Sequence, residues 1–126
     1  MSYDLYVVDP AVSDDDLYDV CDRYEGETHW GDRPRGLYFN YTYNLCKFFS
    51  DYGVRPTTDL DGLTAEACAG RITLALRRIE AENPFLLDRL YNPDNGWGSV
   101  RGATAWLRRV RDYCLAHPGF VVRERS

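Results

Sequence analysis

Lysine is almost missing from this chain. Of fifteen basic residues only Lys47 is a lysine and the rest are arginine, a bias that reads first as genome composition and second as a need for planar, forked donors. No window approaches ~18 continuous apolar residues, so no segment reads as a membrane-crossing helix. The start, Met1-Ser2-Tyr3-Asp4-Leu5, lacks the basic-then-apolar pattern of a signal peptide, which gives a cytoplasmic expectation. The four cysteines, Cys21, Cys46, Cys68 and Cys114, form no C-x-x-C pair, and a zinc or redox motif is not expected. Cys46, Cys68 and Cys114 fall on apolar helical stripes, where a reduced thiol acts as a small hydrophobe. The glycine-rich nucleotide loops, H-E-x-x-H and G-x-S-x-G are all missing. Histidine is limited to His29 and His117. The run Asp14-Asp15-Asp16 does not make a metal site, because consecutive helical positions point in different directions. No cofactor and no metal are expected. A net charge of −5 argues against nucleic acid or an anionic membrane as partner.

What is present is an ordinary globular composition at a single-domain length, 126 residues. A chain of this size buries roughly 65–70% of its unfolded surface and needs no staple. Residues 1–126 therefore read as one domain. Aromatics reach 14%, with ten Tyr and three Trp, residues that fill cores and also populate binding surfaces. Charge is segregated. Residues 1–32 hold ten acids and one base, Arg23, whereas residues 71–111 hold eight arginines and four acids. Either the two regions neutralise each other within the fold, or the acidic third is a face for a basic partner.

Residues 3–8 are a β-prone run stopped by Asp9-Pro10, with Tyr3, Leu5 and Val7 on one face. Ser13 offers an N-cap to a helix carrying Leu17, Val20, Cys21 and Tyr24 at helical spacing, and the acidic triplet suits its first turn. Residues 25–36 are breaker-rich and read as one long loop around His29 and Trp30. Residues 37–40 read as a second strand, and 41–52 as a helix with Tyr41, Leu45, Phe48, Phe49 and Tyr52 inward and Gly53 just past its end. Residues 54–62 form a polar connection containing Arg55-Pro56. Thr64 caps a long helix to about residue 82, and Pro84 starts a short one through Leu90. Residues 91–98 form a second loop, in which Trp97 lies between Gly96 and Gly98. Ser99 caps the most amphipathic helix, and residues 120–122 close the chain as a strand. The fold class is α+β: about four helices packed with a small two- or three-stranded sheet.

The most unusual local pattern is Asn40-Tyr41-Thr42-Tyr43-Asn44, small polar side chains alternating with Tyr where strand passes to helix. Asn and Thr are natural helix starters, because their oxygens accept from free backbone N–H groups. They also supply donors and acceptors for a ligand. The segment through Lys47-Phe48-Phe49 resembles an N-x-T-x-N motif of small proteins from bacteria, phages and mobile elements. The opening Ser2-Tyr3-Asp4-Leu5, the Gly53-Val54-Arg55 step and the late turn-plus-helix with its Trp add to the likeness. That resemblance implies a small accessory protein and carries no mechanism.

These readings converge on a small acidic intracellular binding protein without catalytic activity, an accessory or inhibitor protein of a phage or mobile element. Its partner would be a protein, reached through Trp30, Asn40, Thr42, Asn44, Arg55 and Trp97. Self-association is compatible with the composition. The alternative is a small-molecule sensor or small enzyme with a pocket around Asn40 and Asn44, in which His29, with Glu27 and Asp32 nearby, and Arg55 take part.

Overall fold

The chain's computed structural model describes residues 2–20 and 26–126. The expected positions of Cys21, Arg23 and Tyr24 lie outside the described residues. Strand β1 (Ser2–Val8) runs up the middle of an antiparallel sheet of order β2-β3-β1-β4, with β2 Thr28–Trp30, β3 Arg33–Thr42 and β4 Val121–Glu124. Among the described residues five α-helices accompany it: α1 Leu17–Val20, α2 Cys46–Asp51, α3 Ala65–Glu80, α4 Pro84–Tyr91 and α5 Val100–Ala116. The α+β class holds, with four strands where two or three were expected.

The additional strand comes from the segment read as a loop. Gly31 takes φ +57, a conformation glycine adopts without steric cost, and turns β2 back onto β3. Pro34, opposite His29, is tolerated beside a break in register between Thr28 and His29. Gly36 then crosses β1 so closely that a Cβ there would overlap the Val7 carbonyl and Val8.

Both faces of β1 are covered. Tyr3, Leu5 and Val7 enter the main core with Phe48, Phe49, Trp106 and the inner faces of α3 and α5. Tyr6 and Val8 enter a smaller cluster with Val12, Leu17 and Val20 on the other face. The periodicity of α3 and α5 is fulfilled, and their caps form as read. Thr64 Oγ1 accepts from the Ala67 N–H at 3.2 Å and Ser99 Oγ from the Gly102 N–H at 2.9 Å. Cys68 and Cys114 meet between these two helices, and their mutual hydrogen bond, reinforced by burial, pushes the Cys68 thiol up.

Two N-terminal helix assignments need correction. Ser13 does sit before a 3-10 turn at Asp14–Asp16, but its hydroxyl donates to the Asp16 carboxylate at 2.9 Å instead of capping. Nor does the second helix begin at Tyr41. Tyr41 pairs with Tyr3 and Thr42 with Ser2, so β3 continues through both. A 3-10 turn at Tyr43–Leu45 follows, and the α-helix begins only at Cys46. Aromatic and β-branched residues favour the pleated surface once a partner strand is available.

Two of the segregated N-terminal acids find arginine partners nearby in the fold. Asp14 pairs with Arg123 and Arg125, each at 3.3 Å, and Asp9 with Arg33 at 2.6 Å. Asp14 thus meets the C-terminal end of the chain, and Asp9 meets the hairpin. Among the described residues, the arginines of the long helices make one cross-helix ion pair, Arg108 with Glu80 at 3.2 Å.

Candidate functional site

The Asn-x-Thr-x-Asn segment does not gather its side chains in one pocket. Asn40, on β3, donates through Nδ2 to Ser2 Oγ at 2.8 Å, to the Tyr3 carbonyl at 3.1 Å and to Asp4 Oδ1 at 3.2 Å. It thereby fastens the start of β1. Beyond the end of the strand, Asn44 turns the other way and donates to the Trp97 carbonyl at 3.2 Å and to Asn95 Oδ1 at 3.5 Å. Thr42 Oγ1 accepts from the Asn44 N–H at 3.3 Å, the capping role its type favours.

Through Asn44, Thr42 and Tyr41 the junction holds the loop of residues 92–99. The Tyr41 hydroxyl donates to the Ser99 carbonyl at 3.0 Å and accepts from the Ser99 N–H at 3.1 Å. Within the loop, Asn95 Oδ1 accepts from the Trp97 N–H at 3.0 Å and Asn92 Oδ1 from the Val100 N–H at 2.8 Å. Gly98, at φ +88, lies directly on Thr42 and Leu45, and Gly102 lies on the Tyr41 hydroxyl. Trp97 emerges from this clamp with 72% of its surface exposed. An indole so displayed, on backbone held from both sides, is apolar contact area that folding has left unused.

Helix α4 leads into the same loop. Asn83 Oδ1 caps it by accepting from the N–H groups of Phe85 (2.9 Å) and Leu86 (3.4 Å). Leu87 is its one buried side chain, while Phe85, Leu86 and Leu90 are 78, 46 and 58% exposed. Sequence periodicity misses this face, because an apolar residue reads as a core residue unless its surroundings are known.

The other aromatic candidate, Trp30, is engaged by its own hairpin. Arg33 and Arg35 place their guanidinium groups 5.4 and 5.3 Å from its ring, in the range of cation–π attraction. Both histidines converge on one carboxylate, a meeting the sequence did not reveal. Glu27 lies 2.8 Å from His29 Nε2 and 3.3 Å from His117 Nε2, and accepts from the Tyr113 hydroxyl at 2.6 Å. Burial, with this hydrogen bond, holds the Tyr113 phenol far above its ordinary range. The cluster fastens the β2–β3 hairpin to the end of α5. Among the described residues no group of three or more His, Cys, Asp and Glu is placed to hold a metal.

Arg55 stands apart from Asn40 and Asn44. With Thr57, Tyr3, Tyr43 and Cys46 it lines a cavity of about 280 Å³. Gly53, at φ +71, closes α2, and Val54 donates to the Phe49 carbonyl at 2.9 Å. The chain then enters a single π-helical turn at Pro56–Leu60. The Arg55 N–H is held by Asp59 Oδ2 at 2.9 Å, which fixes the residue at the cavity's edge.

Comparison with protein-family models, with curated proteins and with solved structures yields no match to this chain. Among the described residues no helix is long and apolar enough to cross a membrane.

Proposed function

We propose that this chain is a non-catalytic protein-binding domain whose contact surface is α4 together with the 92–99 loop, and whose central anchor is Trp97. A small accessory or inhibitor protein of a phage or mobile element acts in this way, by occupying a surface of another protein. The observation that carries the reading is the Trp97 indole, 72% exposed on a loop clamped by Asn44, Tyr41 and Asn95. An anchor held in place before binding avoids the ordering cost that weakens flexible contacts. Interfaces concentrate their energy in Trp, Tyr and Arg, and Phe85, Leu86 and Leu90, exposed on the helix that leads into this loop, add apolar area.

The test is photo-crosslinking with a benzophenone amino acid at position 97, and separately at Leu115 on α5, which is 60% exposed. The expected result is one host protein captured from position 97 and not from 115. Its affinity, measured on the purified pair, should fall at least ~30-fold with Trp97→Ala, the equivalent of a ~2 kcal/mol hot spot. Asn44→Ala should give a smaller loss by loosening the clamp. Equal capture from both positions, or an affinity indifferent to Trp97→Ala, refutes the assignment.

A further inference from the structure

The cavity beside Arg55 holds an electrostatic imbalance. A guanidinium cannot shed its charge, so a partly buried arginine needs a counter-charge or a full set of acceptors. Among the described residues, no carboxylate forms an ion pair with Arg55. Asp59, one turn on, directs Oδ2 at the Arg55 backbone N–H. Arg55 Nε is buried without a hydrogen-bond partner in the protein, and so is Thr57 Oγ1. Both residues line the same cavity.

The rest of the wall narrows the chemistry. The Tyr3 phenol hydrogen-bonds with the Cys46 thiol and the Arg55 guanidinium, and burial keeps it protonated. Tyr3 and Tyr43 meet edge to face, centroids 4.4 Å apart. The polar groups of this cavity left without a protein partner, Arg55 Nε and the Thr57 hydroxyl, can both donate, and they stand beside one fixed positive charge and aromatic walls. Its volume, about 280 Å³, falls at the lower limit of small-molecule pockets, roughly 300 Å³.

We infer that this cavity is a binding site for a small oxyanion, a short carboxylate or an inorganic phosphate or sulfate, held by Arg55 Nε and the Thr57 hydroxyl. Planar or tetrahedral oxygen acceptors match the donors of a guanidinium, and a charge-assisted bond of this kind is about twice as strong as a neutral one. The site is separate from the Trp97 surface, and either assignment can fail without the other.

The experiment is calorimetric titration of the full chain with sodium phosphate, sulfate, acetate and benzoate, each against sodium chloride at equal ionic strength. At least one oxyanion should give saturable heat; the first two salts separate inorganic occupants from the carboxylates. Arg55→Gln and Arg55→Lys should weaken that anion roughly tenfold or more, and Thr57→Val several-fold. Trp97→Ala should leave it unchanged. A second readout needs no variant. Cys46 is the half-exposed thiol on the cavity wall, so its alkylation by iodoacetamide, followed by peptide mass spectrometry, should slow over the same anion concentrations. No saturable heat beyond chloride for any of the four salts overturns the inference. Binding that leaves Cys46 unprotected, or that survives the Arg55 and Thr57 variants, overturns it as well.

Discussion

Gly98→Ala is the sharpest test of the clamp that displays Trp97. Gly98 sits at φ +88, where an alanine is strained by about 1–2 kcal/mol. Its new Cβ would also lie 2.5 Å from Thr42 Cγ2 and 2.8 Å from Leu45 Cδ2, far inside the ~3.5–4.0 Å of carbon contacts. Forcing a methyl into packed surroundings typically costs a further ~1–3 kcal/mol. The expected loss is therefore about 2–5 kcal/mol. Gly96 provides an internal control, because it shares the positive φ, +73, but has no heavy atom within 4 Å of an added Cβ. Gly96→Ala should cost only the backbone part, about 1–2 kcal/mol. Urea unfolding followed by circular dichroism gives both values by linear extrapolation. Adding Thr42→Ser to Gly98→Ala removes the methyl in the way and keeps the hydroxyl that accepts from Asn44. It should recover part of the difference, Leu45 Cδ2 remaining. Equal costs at positions 96 and 98, or no recovery with Thr42→Ser, would show that the loop does not rest on the junction.

Four further outcomes are expected. Asn83→Ala removes the oxygen capping α4 and should cost about 1 kcal/mol in the same unfolding assay. Trp97→Ala should change stability by no more than about 0.5 kcal/mol, because the indole faces solvent. The Asp9 carboxyl is held below its ordinary value, first by the Ala11 N–H and then by Arg33, against the opposing effect of burial. Its contribution is therefore present above pH ~4 and lost as the pH falls through the folded-state value. Asp9→Asn should be less stable at pH 7, with the gap to wild type closing on acidification. The Tyr91 phenol is pushed up to about 12, chiefly by the hydrogen bond it donates to Asp51. That contribution is intact below pH ~10 and lost as the pH rises through the folded-state value. In alkaline unfolding curves, the gap between wild type and Tyr91→Phe should close over this interval.

The elements that sequence locates well are those whose signals are local. Thr64, Asn83 and Ser99 accept from backbone N–H groups two or three residues ahead, and the stripes of α3 and α5 repeat within each helix. The hairpin escapes a sequence reading because its turn and its proline look like breakers. Gly31 does break the chain direction, yet the strand pairing that follows depends on β1, more than twenty residues away. Sequence spacing sets the helix start at Tyr41, too early, for a related reason. The apolar spacing of Tyr41, Leu45 and Phe48 suits a helix, and only the pairing of Tyr41 with Tyr3 decides for strand.

The candidate site divides along the same line. Asn40, Thr42 and Asn44 stand out in the sequence because three small polar side chains alternate with tyrosines, but their spacing does not say what they hold. Their partners lie 36–38 residues back for Asn40 and 51–53 residues ahead for Asn44. One short segment thus fastens both the first strand and the loop carrying Trp97. A change in Asn44 would reach the indole through the Trp97 carbonyl, whereas a change in Asn40 would reach the sheet through Tyr3. If Trp97 is the anchor, Asn44→Ala should weaken partner binding with little loss of fold, and Asn40→Ala should weaken the fold more than the partner contact. The two asparagines, alike in sequence, are separated by what each one carries.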